Sequence, residues 1–340
     1  MRNHEVTEPG LLLDERGELR EPGWSKSLVQ QYRRSMIKAP TFRIKEWDYY
    51  LVVNDGFAAA FTISDDGYIG LQSVSLLVFG DQPWEHTETV LNAFPMGKLK
   101  LPEDSSYGVT AYSDKRLQMS FEPKDGKRHI KCCFNNFFDG KTLEADIVLD
   151  QPPMDTMVIA TPWPKKHAFY YNQKINCMRA SGEVRFDGEI YRFDPATDFG
   201  TLDWGRGVWT YDNTWFWGSG NADVDGRAFG WNIGYGFGDT SAASENIIFW
   251  DGTAHKLDDV IFHIPESGYT DTWTFSSSDG RFEMTFEPVL DRAACLDYKV
   301  IVSDQHQVFG RMSGKAVLDD GTEINIKDVM CFAEKVHNKY

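Results

Sequence analysis

The chain has 340 residues, 41% of them hydrophobic and 14% aromatic, with 23 Phe, 14 Tyr and 11 Trp; this content excludes disorder, collagen-like repeats and a coiled coil. The formal charge is −16, from 35 Lys and Arg against 51 Asp and Glu, which would repel a phosphate backbone or an anionic membrane surface and excludes nucleic acid as a partner class. The length accommodates two domains or one large one.

Near the N-terminus the only apolar cluster is Leu11 to Leu13, too short for a signal-peptide core or a membrane span, so a cytoplasmic protein with no membrane span is expected. Ser25 to Ile37 predicts a helix, because Leu28, Tyr32 and Met36 recur at i, i+4, i+8 behind a possible serine cap. The rest reads as strand. Nine Asp-Gly pairs, beginning at Asp55, Asp66, Asp125, Asp139, Asp187, Asp225, Asp251, Asp279 and Asp320, suit the positive φ angles of tight hairpins. Between them apolar residues alternate, as in Leu117, Met119, Phe121 and Phe282, Met284, Phe286. The predicted class is all-β with little helix.

Three segments recur in order. Leu76 to Phe79 answers Ile247 to Trp250. Ser113 to Pro123 matches Ser278 to Pro288 at seven of eleven positions. Ser181-Gly before Asp187-Gly answers Ser313-Gly before Asp320-Gly. The second pair is offset by 165 residues and the third by 132, which puts about 33 extra residues of the first copy in the stretch containing Gln151-Pro-Pro and Thr161-Pro-Trp-Pro, read as loops or edge segments. Two tandem antiparallel barrels or sandwiches follow, with a boundary near Gly207: residues 1–207 form an N-terminal barrel domain with an extension, and 208–340 a C-terminal one. Barrels of about eight to ten strands commonly hold one apolar ligand.

Residues 200–250 hold six of the eleven Trp, ten of the 29 Gly and no Lys. The segment opens with Thr201-Leu-Asp-Trp-Gly-Arg-Gly-Val-Trp209, whose counterpart in the second copy reads Cys331-Phe-Ala-Glu-Lys335. A carboxyl held against rings loses hydration and can stay protonated, so Asp203 is a candidate general acid. Arg206 either pairs with it or stabilises a ligand oxyanion; a turn-locking ion pair, or an arginine packed over a tryptophan to close a barrel, explains the same residues structurally. Trp215 and Trp217 share one face of a strand and could line a pocket or pack a core. Glu245 and Asn246 offer a second acid and an amide, or a strand-entry turn. The candidate catalytic set is Asp203, Arg206 and Glu245, and the candidate ligand-binding set is Trp204, Tyr211, Asn213, Trp215, Trp217, Asn246, His255 and Lys174. The scattered histidines show no His-x-His or His-Glu-x-x-His spacing, so no metal is expected. Gly234-Tyr-Gly-Phe-Gly238 lacks the context of a phosphate loop, so no nucleotide cofactor is expected. Five Cys, without a Cys-x-x-Cys, read as reduced and mostly packed.

Asn172-Gln-Lys-Ile-Asn176, Ser181-Gly, Leu202-Asp-Trp-Gly-Arg-Gly207, Trp215-Phe-Trp217 and Glu245-Asn246 resemble a bacterial family of uncharacterised proteins over nearly the whole chain. That family is distantly similar to tandem lipocalin-like proteins that include carotenoid 1,2-hydratases, tocopherol cyclases and decalin-forming Diels-Alderases. The resemblance implies two calycin-type barrels with a ligand cavity in or between them. It also implies addition of water to, or cyclisation of, hydrophobic unsaturated substrates without a redox cofactor. A stress-survival protein with no established enzymatic activity is similar as well. Asp203, Trp204 and Arg206 are carried over as signature positions, with no catalytic role implied. The leading expectation is a cofactor-independent lyase or isomerase acting on a terpenoid, polyketide or polyphenol. An isoprenoid would use the tryptophans, an enone or polyphenol Arg206. A non-catalytic carrier of an apolar ligand and a glycan-binding or glycan-cleaving protein are the alternatives.

Overall fold

A computed structural model describes residues 2–297 and 302–339. Among these, five Asp-Gly pairs, at Asp125, Asp139, Asp187, Asp225 and Asp251, have both residues at positive φ and close two-residue hairpins, the geometry that matches the right-handed strand twist. The strands they join form two curled antiparallel sheets, a pair of tandem lipocalin-like barrels. The first runs in the order Trp84–Ala93, Ile69–Val78, Phe57–Asp65, Ile44–Val53, Phe199–Val208, Phe169–Phe186, Lys141–Asp150, Lys127–Phe138, Leu117–Lys124, Thr110–Ser113. The second runs Thr253–Lys256, Ile247–Trp250, Arg227–Tyr235, Asp212–Val224, Glu323–Lys339, Val302–Val317, Phe282–Asp297, Trp273–Ser277, Val260–His263.

The two orders superimpose: in each, a four-strand meander pairs through its first strand with the last strand of that half, which then pairs with a long earlier strand, Phe169–Phe186 in the first half and Val302–Val317 in the second. Ile69–Val78 and Ile247–Trp250 occupy the same place, as the first repeat predicts. Gly182 and Gly314 also correspond. Both have φ in the left-handed half (107° and 149°), and a Cβ would meet a neighbouring strand's carbonyl at 2.2 Å (Asp146) or 2.3 Å (Glu283), so close backbone approach explains the Ser-Gly repeat.

The longest sequence match does not mark equivalent strands. Two strands lie between Leu117–Lys124 and Phe169–Phe186, whereas Phe282–Asp297 pairs directly with Val302–Val317; Lys141–Asp150 is the true counterpart. Shared alternation of Met, Phe and Glu reflects a common half-buried strand pattern here. Nor does the helix at 25–37 form. Gln30–Gln31 pairs with Gly10–Leu11, and only the 3₁₀ turn Arg34–Met36 follows. The apolar residues there pack on the first core without a helix: buried Tyr32 inserts edge-on against Trp204 and donates to Glu46 Oε1 at 2.7 Å. Part of the proline-rich stretch, Met157–Pro162, is a strand paired with Phe169–Lys174.

A polar seam fixes one barrel against the other. Asn176 Nδ2 donates to Ser219 Oγ (2.8 Å) and to the Trp231 carbonyl (3.1 Å). Asn221 accepts from the Cys177 amide (2.7 Å) and donates to Thr201 Oγ1 (2.9 Å). Arg179 pairs with Asp223 at 2.6 Å. A bulge that puts Cys177 at φ 61° turns the strand toward these partners. Apolar contacts add to the seam, with Leu51, Ala60, Leu77 and Phe79 against Phe309, Met330 and Phe332. Cys132, Cys177 and Cys331 are buried thiols, whereas Cys295 is exposed.

Candidate functional site

Two cross-strand rows face each other between the barrels. In the first sheet Lys174 pairs with Asp203 and Asp203 with Tyr49. In the second Gln307 pairs with Glu334 and Glu334 with Trp217. The rows lie on corresponding strands of the duplicated order. Between them is a cavity of about 820 Å³, lined also by Trp47, Tyr170, Trp209, Trp215, Phe237, Glu245 and Arg292, within the size range of roughly 300–1,000 Å³ common to small-molecule sites.

Its walls are rings meeting edge to face: Trp209 stands 5.1 Å from Trp47 and 4.8 Å from Phe237, Trp215 is 5.3 Å from Phe237, and Tyr49 is 6.1 Å from Trp217. Against these rings sit three carboxyls, each only 7% exposed: Asp203, Glu245 and Glu334. Lys174 Nζ lies 2.8 Å from Asp203 Oδ1 and 4.0 Å above the Trp217 ring; Asn172 Nδ2 donates to the same carboxylate oxygen at 2.5 Å. Glu334 accepts from Trp215 Nε1 (3.0 Å) and Gln307 Nε2 (2.8 Å). Burial raises the pKa of Glu334 despite these donors. Burial likewise raises that of Glu245; Lys174 opposes the shift and Asp203 adds to it. The Tyr49 phenol is pushed up to about 12, chiefly by burial. Such burial favours the neutral forms of Glu245 and Glu334.

Asp203, Glu245, Lys174, Trp215 and Trp217, expected from the sequence, come together in this cavity. Arg206 does not, and its expected role at a ligand is corrected. It points into the first barrel, fully buried. Its Nη1 donates to the carbonyls of Trp47 and Gly205, both at 2.8 Å, and its Nη2 to that of Pro102 at 2.8 Å; Asp48 lies 3.0 Å away. Its guanidinium lies 4.2 Å over Trp204, itself in the barrel core, so Trp204 too is structural. Tyr211 is 48% exposed and lies outside the lining. Asn213 closes a turn with Thr210, Asn246 bonds the Gly234 amide and the Asp258 carbonyl, and His255 faces Asp319 at 3.1 Å.

The motif around Asp203 thereby resolves residue by residue. Alternation sends Asp203 to the cavity and Trp204 and Arg206 into the barrel. Gly205 seats the Trp47 ring, which a Cβ would strike at 1.9 Å, and Gly207 lets the Phe169 carbonyl approach, 2.5 Å from where a Cβ would stand. Tyr49, Gln307, Arg292 and Glu334 escaped the sequence reading. For Glu334 a signal existed: it sits in Cys331–Lys335, the counterpart of the Asp203 motif. Among the described residues no group of three or more His, Cys, Asp or Glu is arranged to hold a metal ion, and no helix is long and apolar enough to cross a membrane.

Among solved structures, the chain is similar to a protein described as AttH from Nitrosomonas europaea (12% identity, TM-score 0.46, covering 90% of this chain and 96% of that one). It is similar also to kievitone hydratase from Nectria haematococca (11%, 0.45, 87% and 88%) and to CghA (9%, 0.43, 98% and 97%). No protein of curated function matches it. A family model described as a domain of unknown function, DUF2804, matches residues 3–340, and the chain belongs to that family.

Proposed function

We propose that this protein is a cofactor-independent lyase or isomerase, acting by acid–base chemistry on a hydrophobic unsaturated small molecule held between two barrel domains, 1–207 and 208–340. The observation that carries this reading is a ring-lined cavity into which buried carboxyls of raised pKa project. Glu245 is the proton donor: burial disfavours its charged form, and a neutral acid can protonate a carbon–carbon double bond. Asp203 anchors Lys174, and the two orient a substrate without supplying that proton. With Arg206 turned into the barrel, stabilisation of an enone or phenolate oxygen falls to Lys174 alone on the fully buried wall. The edge-to-face packing of the rings supports an apolar ligand over the flat, open platform that a glycan needs.

The test is native mass spectrometry of freshly purified wild-type and Glu245→Gln protein, with extraction and analysis of the bound molecule. The expected result is a common apolar ligand, chemically altered from the wild type and unaltered from Glu245→Gln. An identical molecule from both would replace the enzyme with a carrier using the same cavity.

A further inference from the structure

The duplicated halves place different groups beside their central acids. Lys174 and Gln307 are register-equivalent neighbours of Asp203 and Glu334. The first half supplies its carboxylate with an ammonium at 2.8 Å. The second bonds its carboxyl to neutral donors, Gln307 and the Trp215 indole, while Arg292 and Lys174 act on it electrostatically without bonding it. Arg292, the other cation on the lining, is half-buried and donates to Ser75 Oγ at 3.1 Å. Along the lining, four buried carboxyls, Asp66, Asp203, Glu245 and Glu334, stand against one buried ammonium, Lys174, and Glu245 has no cation bonded to it among the described residues. The wall near Glu334 is aromatic: Trp215, Trp217, Trp209 and Phe237.

We propose that the Glu334 half of the cavity recognises positive charge on an apolar body, the ligand supplying what Lys174 supplies to Asp203. Lys174 is itself the internal precedent, an ammonium seated 4.0 Å over the Trp217 face and against a carboxylate. A cation seated beside Glu334 offsets the burial that otherwise favours its neutral form, and the carboxylate so formed and the indole together hold the cation more strongly when water is excluded. The inference rests on the reading of this cavity as a small-molecule site and deepens it by naming the charge of the molecule. That charge is carried by the ligand throughout, as in a hydrophobic ammonium, or develops on carbon when Glu245 protonates a double bond. In the second case the π electrons form the new C–H bond, Glu245 is left as carboxylate, and the adjacent carbon is the cation that Glu334 faces. Water then adds to that carbon, or a neighbouring C–H gives its electron pair to a new double bond. The released proton passes to Glu334 and returns to Glu245 through solvent.

Three probes of one shape separate the possibilities: benzyltrimethylammonium, its neutral isostere neopentylbenzene, and the anion 2,2-dimethyl-3-phenylpropanoate. Binding is read by quenching of tryptophan fluorescence in the whole protein, with circular dichroism as the check on folding. In wild type the ammonium should bind about tenfold or more tighter than the neutral probe, as expected of a desolvated cation–π and carboxylate site, and the anion weakest. Glu334→Gln, which keeps the shape and an acceptor for Trp215, should erase the preference while the neutral probe binds unchanged. Equal binding of ammonium and neutral probe to the wild-type protein, a comparison that needs no variant, overturns the charge inference and leaves the apolar cavity standing. An unchanged preference in Glu334→Gln overturns the assignment to Glu334. Binding of none of the three overturns both the inference and the small-molecule reading beneath it.

Discussion

Lys174, Asp203 and Tyr49 in one half, and Gln307, Glu334 and Trp217 in the other, occupy the same three adjacent strand positions. The scaffold has kept the geometry of the row and changed its chemistry. The first row contains its own counter-charge and is internally satisfied; the second hydrogen-bonds its carboxyl to neutral partners, with Arg292 and Lys174 acting on it without bonding it. Duplication thus produces one asymmetric site from two similar walls, and it lies between the barrels, where both central strands can reach it.

The difference between the rows can be broken first at its strongest point. Lys174→Met leaves Asp203 buried without its cation and is expected to cost about 3–5 kcal/mol of stability, against about 1 kcal/mol for Gln307→Leu, which removes one neutral hydrogen bond; urea unfolding measures both. Equal costs would mean that the rows are equivalent after all. Arg206→Met, which strips Asp48 of its buried partner, should cost several kcal/mol, of the order of 3–5. It should leave ligand affinity per folded molecule unchanged, because Arg206 lies outside the cavity. Gly205→Ala forces the Trp47 ring from its seat and should cost about 1–3 kcal/mol, with weaker ligand binding, as seen by thermal denaturation and tryptophan quenching. Gln307→Lys sharpens the comparison in the opposite direction. It copies the first row into the second, and should change stability by only about 1–2 kcal/mol, because the attraction to Glu334 is offset by the cost of burying a second ammonium, while removing the preference for a cationic ligand.

The smallest effect concerns pH. Because the folded pKa of Glu245 is raised by burial, folding is favoured by its proton below the ordinary glutamate range, and that contribution is lost as pH climbs toward the raised value. Glu245→Gln should therefore melt close to wild type in acid. It should melt progressively higher than wild type as pH rises through and above the ordinary glutamate range, by a few degrees at most, roughly the shift of 1 kcal/mol.

Much of this was legible in the sequence where local chemistry decides the outcome. Asp-Gly pairs demand positive φ and gave the hairpins; Gly182 and Gly314 demand close backbone contact and marked a true repeat. The match of Ser113–Pro123 to Ser278–Pro288 misled, because alternating large apolar residues suit any half-buried strand. The helix expected at 25–37 failed because Gln30–Gln31 is drawn into a pairing with Gly10–Leu11, although Tyr32, Leu28 and Met36 all pack on the first core. Within the site, the odd spacing of Asp203 and Arg206 already forbids a common face on a strand, so their separation was readable. The convergence of Asp203 with Glu245 and Glu334 was not, for it depends on how two sheets dock through Asn176, Asn221 and Arg179.

The central claim is that the cavity between the barrels keeps the Glu245 carboxyl protonated and available as a donor. Infrared spectroscopy of the wild type and Glu245→Gln across a pH series tests it most directly. The expected result is a protonated-carboxyl band persisting above the ordinary glutamate range in the wild type and absent from the difference position in Glu245→Gln, with other buried acids such as Asp66 and Glu46 cancelling between the two. Identical spectra from both proteins above that range would contradict it.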